Sequence, residues 1–456
     1  MKTRIQRWLG DDRLIFIVVS LVFAVILYFA RLGGDDLVNI RLTRDVPAAE
    51  IWSRAWEMYF TWASRVLINF VMYYLTGRNQ VFFALFMGLS MYVLLSALSR
   101  LFVEGDRRSG NLIVAGVALL YPLTELGSAG WIATMTTYLS PIAFGMMSLV
   151  PIRRWLDGES ICWYELIAYG ACLIYGANNE QMMVVILFAY TGFLVYTAAR
   201  KRSCAANVVF WLLSVACCVF IFASPGNRNR TYLETRWLPF FGKLSVFDKV
   251  EIGLSMTLQW LIVENHLLVV FLCAGMTYLI WKKFRSLAYS LIPFVPFAIV
   301  SAFHRQFSNL TERLVPFGNV IAAPISRYGL ISETTRYSMN AFVKFFVFGL
   351  FLALFILSYY LVMNRRRDLA VMGVLLVAGF STRLVIGFSP SVFQSGYRAC
   401  SVLAFCLISA ALAGIFSAFR EGLIGEKERR VLNRAMPVFA FLSMAKFAYD
   451  VARIFK

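Results

Sequence analysis

LIFIVVSLVFAVILYFA, running from Leu14 to Ala30, decides the class of this protein. It carries no charge, and apolar side chains occupy both odd and even positions. A strand of a membrane barrel alternates in polarity, so this run is a helix with apolar surface all round. Lipid is the solvent that accepts such a surface, and a helix crosses it with roughly 20 apolar residues. The rest of the chain has the same character. Of its 456 residues 60% are hydrophobic and 15% charged, against about 45–50% and about 25% in soluble domains. One water-soluble core cannot hide that much apolar surface.

Working outward from the first run gives twelve expected spans: Leu14–Ala30, Val81–Ser99, Leu112–Leu126, Thr136–Val150, Ile161–Tyr175, Met182–Ala198, Val208–Ala223, Leu258–Trp281, Leu287–Phe303, Ala341–Met363, Leu369–Gly387 and Ala399–Phe419. The expectation is an all-α integral membrane protein of about 12 (11–14) spans, organised as a single polytopic domain over residues 1–456. Two further apolar stretches are shorter and carry polar groups. Trp62–Leu75 holds Arg65 and Asn69, and Val438–Tyr449 in the tail of residues 420–456 holds Lys446. Both read as interfacial helices.

Basic turns set the orientation, because cytoplasmic loops carry excess Lys and Arg. With the N-terminus inside and Trp62–Leu75 not crossing, the compact basic turns all fall inside. These are Arg107-Arg108, Arg153-Arg154, Arg200-Lys201-Arg202, Lys282-Lys283, Arg365-Arg366-Arg367 and Lys427 to Arg430. The net charge of +19 is then explained by topology and anionic lipid, and no nucleic-acid partner is expected. Seven of the eight cysteines lie in or at the ends of spans and Cys204 lies in a cytoplasmic turn, so no exported disulfide framework is implied. Two histidines exclude a histidine-rich metal site. No Walker loop, G-x-S-x-G elbow or H-E-x-x-H occurs.

The varied polar groups gather in the outward loops. The first of them, residues 31–80, opens Arg31-Leu-Gly-Gly-Asp35-Asp36. Adjacent carboxylates raise one another's pKa, and such a pair can act as a general base or hold a divalent cation. The plain alternative is a helix N-cap with a solvated neighbour. Trp52, Trp56, Tyr59 and Trp62 then recur at helical spacing, a pattern that also serves simple interfacial anchoring. Arg65, inside an apolar stretch, is expensive to bury unpaired. Asn178-Asn179-Glu180-Gln181 is a tight polar turn between two spans, functional or simply satisfied. Ser224-Pro-Gly-Asn227-Arg228-Asn-Arg230 presents two guanidinium forks beside a turn, a chemistry that suits phosphate. Arg305, Arg383 and Arg398 lie at further outward span ends, and Arg383, within an apolar run, demands a partner.

Five elements occur in order: Asp35-Asp36 after the first span, Trp62-Ala-Ser-Arg65, Trp131 followed by Tyr138-Leu139-Ser140-Pro141, Asn178-Asn179-Glu180, and Ser224-Pro-Gly-Asn227-Arg228. Together they resemble a bacterial family of multi-pass proteins related to the type C (GT-C) glycosyltransferases. The O-antigen serotype-converting glucosyltransferases are similar in layout. The likeness covers most of the chain, and the Ser-Pro-Gly-Asn-Arg turn is its most distinctive part. It implies a GT-C-like fold in the bacterial cytoplasmic membrane, with juxtamembrane helices framing a groove for a lipid tail. The implied partners are the bilayer, a polyprenyl-phosphate-sugar donor and a glycan acceptor. The implied catalytic pair is Asp35 and Asp36, as base or as ligands of a divalent cation (Mg or Mn). Glu180 joins them as a further catalytic carboxylate. Arg65, Asn178, Asn179, Asn227, Arg228, Arg230, Arg305, Arg398, Trp131 and Tyr138 are the expected substrate-binding residues. The choice of Arg228, Arg230 and Arg398 for the phosphate rests on guanidinium chemistry and not on the family. Many of those relatives carry a soluble domain after the last spans, whereas none follows them here, which leaves the acceptor open. An oligosaccharide polymerase or ligase, and a transporter or flippase, are the alternatives; polar groups at outer span ends count against transport.

Overall fold

The computed structural model describes residues 12–201, 205–264, 267–304, 318–331, 338–363 and 365–454. Every regular element among them is helical. Nine helices among the described residues are long and apolar enough to cross a membrane, and three shorter apolar ones accompany them. The chain divides into two compact units, one of residues 1–233 with 429–456 and the other of residues 234–428. Sequence reading expects one domain over the same residues.

The first unit opens with α1 (Leu14–Tyr28) and three helices in the segment that follows it: α2 (Asp35–Thr43), α3 (Ala48–Thr61) and α4 (Val66–Thr76). They are followed by α5 (Gln80–Phe102) and α6 (Arg107–Ala118). Gln80 Nε2 donates to the carbonyls of Leu27 (2.9 Å) and Ala30 (2.7 Å), tying the start of α5 to the C-terminal end of α1. Gly88 lets α5 lie close to α1, since a Cβ there would stand 3.0 Å from that of Ala24. The expected span Leu112–Leu126 is not one helix. It stops at Ala118 and resumes after Pro122 as a short 3₁₀ turn, Leu123–Gly127, because proline supplies no N–H to carry a helix through. Next come α7 (Trp131–Ser148), α8 (Val150–Leu156), α9 (Trp163–Gly176), α10 (Glu180–Ala199), α11 (Ala205–Ala223) and α12 (Pro225–Glu234).

The second unit holds α13 (Val246–Gln259), α14 (Leu267–Phe284), α15 (Leu287–Phe303), α16 (Gly318–Ala322), α17 (Met339–Val362), α18 (Arg366–Ile386) and α19 (Ser401–Arg420). The expected span Leu258–Trp281 is shorter: its first turns are the end of α13 and a π-helical turn, Trp260–Glu264. Gly253 and Gly387 bring α13 and α18 together; a Cβ at Gly253 would meet the Arg383 carbonyl at 2.7 Å.

The tail corrects an expectation. Val438–Tyr449 is not a short interfacial piece but part of α20 (Glu426–Arg453), 28 residues long and apolar enough to cross. Within the first unit it runs parallel to α6 and the turn beyond it. Arg429 pairs with Asp106 (3.2 Å) at one end, and Thr124 donates to Asp450 (3.3 Å) at the other. Met436 fits where Gly116 has no side chain, and Phe447 stacks on Phe23 (5.4 Å). Lys446, which makes the stretch look interfacial, pairs with Asp450 one turn on, and that pairing lowers the cost of its charge.

Candidate functional site

Two helices in the first unit that begin without a side-chain cap of their own receive one from a residue distant in sequence. The N-cap position of α7 is Gly130, held at φ +133°, and glycine has no side chain to satisfy the first-turn N–H groups. Asp36 does so from α2. Its Oδ1 accepts from Ala133 N (2.9 Å) and its Oδ2 from Ile132 N (3.2 Å). A Cβ at residue 130 would come within 2.7 Å of that Oδ1, so glycine is required for the approach. Asp36 is fully buried. Burial pushes its pKa up to about 6, against the pull of the Ala133, Ile132 and Trp131 N–H groups, with Asp35 adding to the rise. Asp35 is exposed instead. The expected pair therefore splits, one carboxylate capping a helix in the interior and one open to solvent. Among the described residues no group of three His, Cys, Asp or Glu is poised for a metal ion. Asp36, whose oxygens accept from backbone N–H groups, thus serves as a helix cap.

The second uncapped helix is α4, whose N-cap position is Arg65. Asn178 supplies the cap, its Oδ1 accepting from Ile68 N (3.1 Å). Asn179 has two tasks. Its Oδ1 caps α10 by accepting from Gln181 N and Met182 N, both at 3.0 Å. Its Nδ2 donates to the Thr137 carbonyl (2.9 Å), which Pro141, one turn on, cannot reach with an N–H. The Ser224–Arg230 segment closes on the α3–α4 connection from another side. Ser224 Oγ donates to the Tyr59 carbonyl (2.7 Å), Asn227 Oδ1 accepts from Ser64 N (3.2 Å), and Asn229 Nδ2 donates to the Thr61 carbonyl (2.8 Å). A Cβ at Gly226 would stand 2.6 Å from Trp62 N. Rather than forming a turn, Pro225-Gly226 starts α12, Pro being well suited to the first helical position.

These contacts fix Arg65. Its Nε donates to both oxygens of Glu180, at 2.7 and 3.0 Å. The two terminal nitrogens make no hydrogen bond to any described residue. Tyr138 acts electrostatically on the same guanidinium and is half-buried. Arg230 lies over the Trp62 ring (5.7 Å) and Arg228 is exposed. The structure thus gathers Arg65, Glu180, Asn178, Asn179, Asn227 and Arg230 around one junction.

Other expected residues lie elsewhere. Trp131 is fully buried, edge-on to Phe447 (5.8 Å) and against Gly127, and packs as a core residue. Arg398 is half-buried in the 3₁₀ turn Tyr397–Cys400 of the second unit, and Arg305 falls outside the described residues. Arg383 is buried and finds a hydroxyl, not a carboxylate: its Nε donates to Thr257 Oγ1 (3.1 Å). Glu251 and Lys344 are among the buried ionisable residues that escape the sequence reading. Glu251 accepts from Leu330 N (3.0 Å) and from the Ser255 hydroxyl, and burial raises its pKa. Lys344, near the start of α17, donates to the Ala323 carbonyl and faces the Phe348 ring (5.4 Å). The signal for Lys344 is visible in hindsight as a lone cation inside the apolar run Ala341–Met363.

A guanidinium clamped through Nε, with its terminal edge unoccupied, can bind an oxyanion bidentately. No family model, no curated protein and no solved structure matches this chain.

Proposed function

We propose that the chain is a membrane glycosyltransferase. It moves a sugar from a polyprenyl-phosphate donor to a cell-surface glycan or lipid-linked acceptor, on the outer face of the bacterial cytoplasmic membrane. The observation that carries this reading is the clamped Arg65. Glu180 holds it and leaves two donors for a phosphate. In the transfer, an acceptor hydroxyl oxygen bonds to the anomeric carbon as the bond from that carbon to the phosphate oxygen breaks. Negative charge grows on the departing polyprenyl phosphate, where a preorganised guanidinium is most effective. The hydroxyl proton goes to a carboxylate, and Asp35 is the exposed one of the pair. The loops that meet at Arg65 all fall outside in the orientation set by the basic turns.

The test uses membranes containing the full chain and a panel of polyprenyl-phosphate hexoses, with release of polyprenyl phosphate as readout. Arg65→Ala is expected to lower turnover about 100-fold or more, the scale for losing one such donor, with insertion unchanged. Unaltered turnover in that variant would overturn the assignment. A second reading, an oligosaccharide polymerase or ligase, is favoured by the occupied state of Asp36, because it relies on arginines and not on the Asp35-Asp36 pair. It predicts activity on lipid-linked oligosaccharide that survives Asp35→Asn and is lost in Arg65→Ala.

A further inference from the structure

The other end of the first unit carries a cavity that this chemistry does not use. It lies where the start of α1, the end of α5 and the start of α6 meet, and holds ≈ 50 Å³. Among the described residues Arg13, Arg100 and Arg107 line it, with the carboxylate Asp12.

The wall is built rather than incidental. Ser99 Oγ donates to Asn111 Oδ1 (2.6 Å), and Asn111 Nδ2 donates to the Asp12 carbonyl (2.7 Å). That chain ties all three elements together beneath the cavity. Arg100 commits only one terminal nitrogen, to the Tyr169 hydroxyl (3.3 Å). Arg107, the first residue of α6, makes no hydrogen bond or ion pair with any described residue. Ser96 Oγ lines the same space, is buried, and has no partner among the described residues. Uncommitted donors around an electropositive hollow call for an oxyanion. At about 10–15 Å³ per water, the cavity holds roughly four waters, a space that suits one tetrahedral phosphate group.

We infer that this cavity binds a single phosphate group. The basic turns Arg107-Arg108 and Arg153-Arg154 lie at the same end, which the positive-inside rule assigns to the cytoplasm. Anionic lipids are concentrated in that leaflet, and basic pockets between helices there take lipid headgroups. The same chemistry would accept free inorganic phosphate, so the test separates the two sources.

The full chain is reconstituted in nanodiscs of neutral phosphatidylcholine. Short-chain phosphatidylglycerol and inorganic phosphate are titrated separately, with bound mass by native mass spectrometry and thermal shift as readouts. The expected result is one ligand per chain, weakened about tenfold in Arg107→Gln, which breaks no bond described in the fold. Ser96→Asp puts a carboxylate into the cavity and should abolish binding. The control Arg365→Gln/Arg366→Gln removes charge from another basic turn and should leave binding unchanged. Tighter binding of phosphatidylglycerol identifies a headgroup site, and equal or tighter binding of inorganic phosphate identifies a free-anion site. The proposal fails if the wild type binds neither, if Ser96→Asp binds as the wild type does, or if the control loses as much as Arg107→Gln.

Discussion

Replacing Asp36 by asparagine should change how the stability of the protein responds to pH. The buried carboxylate is pulled two ways. Three N–H groups at the start of α7 favour its charged form, while burial favours the neutral one, and burial wins: the pKa stands near 6 instead of its ordinary 3.8. A rise of about 2 in pKa, at about 1.4 kcal/mol for each, amounts to about 3 kcal/mol. Because the folded value lies above the unfolded one, Asp36's contribution is fully present below pH 3.8. It is lost as pH rises through about 6. The asparagine side chain does not titrate, and it keeps the shape of the neutral acid. Wild type and Asp36→Asn would be unfolded in mixed micelles between about pH 3.5 and about 7.5, and the difference in stability plotted. Other titrating groups cancel in that difference. It should move against the wild type by about 3 kcal/mol, mostly between about pH 4 and 6.5. A flat difference would show that Asp36 is not buried as described. A difference moving the other way would show that the N–H groups and the helix dipole outweigh desolvation.

Other variants probe neighbouring contacts. Asn179→Ala removes a helix cap and strands the Thr137 carbonyl; about 2–4 kcal/mol should be lost in the same unfolding assay, and Asn179→Asp should restore only the cap. Gly130→Ala forces a Cβ onto Asp36 at a backbone angle that side chains rarely adopt; roughly 1–3 kcal/mol of destabilisation is expected, with none of it recovered by low pH. Arg65→Lys keeps the charge but loses the planar fork; donor turnover should drop at least tenfold while unfolding stability changes by no more than about 1–2 kcal/mol.

Membrane class and most spans were legible because lipid imposes a single demand, a long apolar surface, which one window of sequence can satisfy. Breaks inside expected spans were less so. Pro122 explains the stop in α6 once its position relative to Ala118 is known, yet an apolar run on both sides masks it. The candidate site was legible as a set of costly polar residues and illegible as a set of roles. Asp36 and Asn178 cap helices whose first N–H groups lie 96 and 110 residues away in sequence. No local pattern shows that Gly130 and Arg65 leave those helices uncapped. Asn179 likewise answers a carbonyl freed by Pro141, a need visible only when the two helices are side by side. Trp131 shows the converse: an aromatic expected to meet substrate belongs to the core. Lys344 and Arg383 are buried near the ends of their own apolar helices, where their partners, the Ala323 carbonyl and the Thr257 hydroxyl, come from other segments that no local pattern of sequence shows.

The route of α20 bears on how the protein is made. The first unit is interrupted by residues 234–428, a stretch of 195 residues (428 − 234 + 1), before the chain returns to it. At about 5–20 residues per second, the ribosome takes roughly 10–40 s to deliver the returning helix. During that interval the seat beside Gly116 has no Met436, and Phe23 and Trp131 lack Phe447. The helices of the first unit must wait in the bilayer, open along one flank, until α20 is delivered. A stop codon ahead of residue 429 therefore leaves that unit unfinished, however well the helices before it insert.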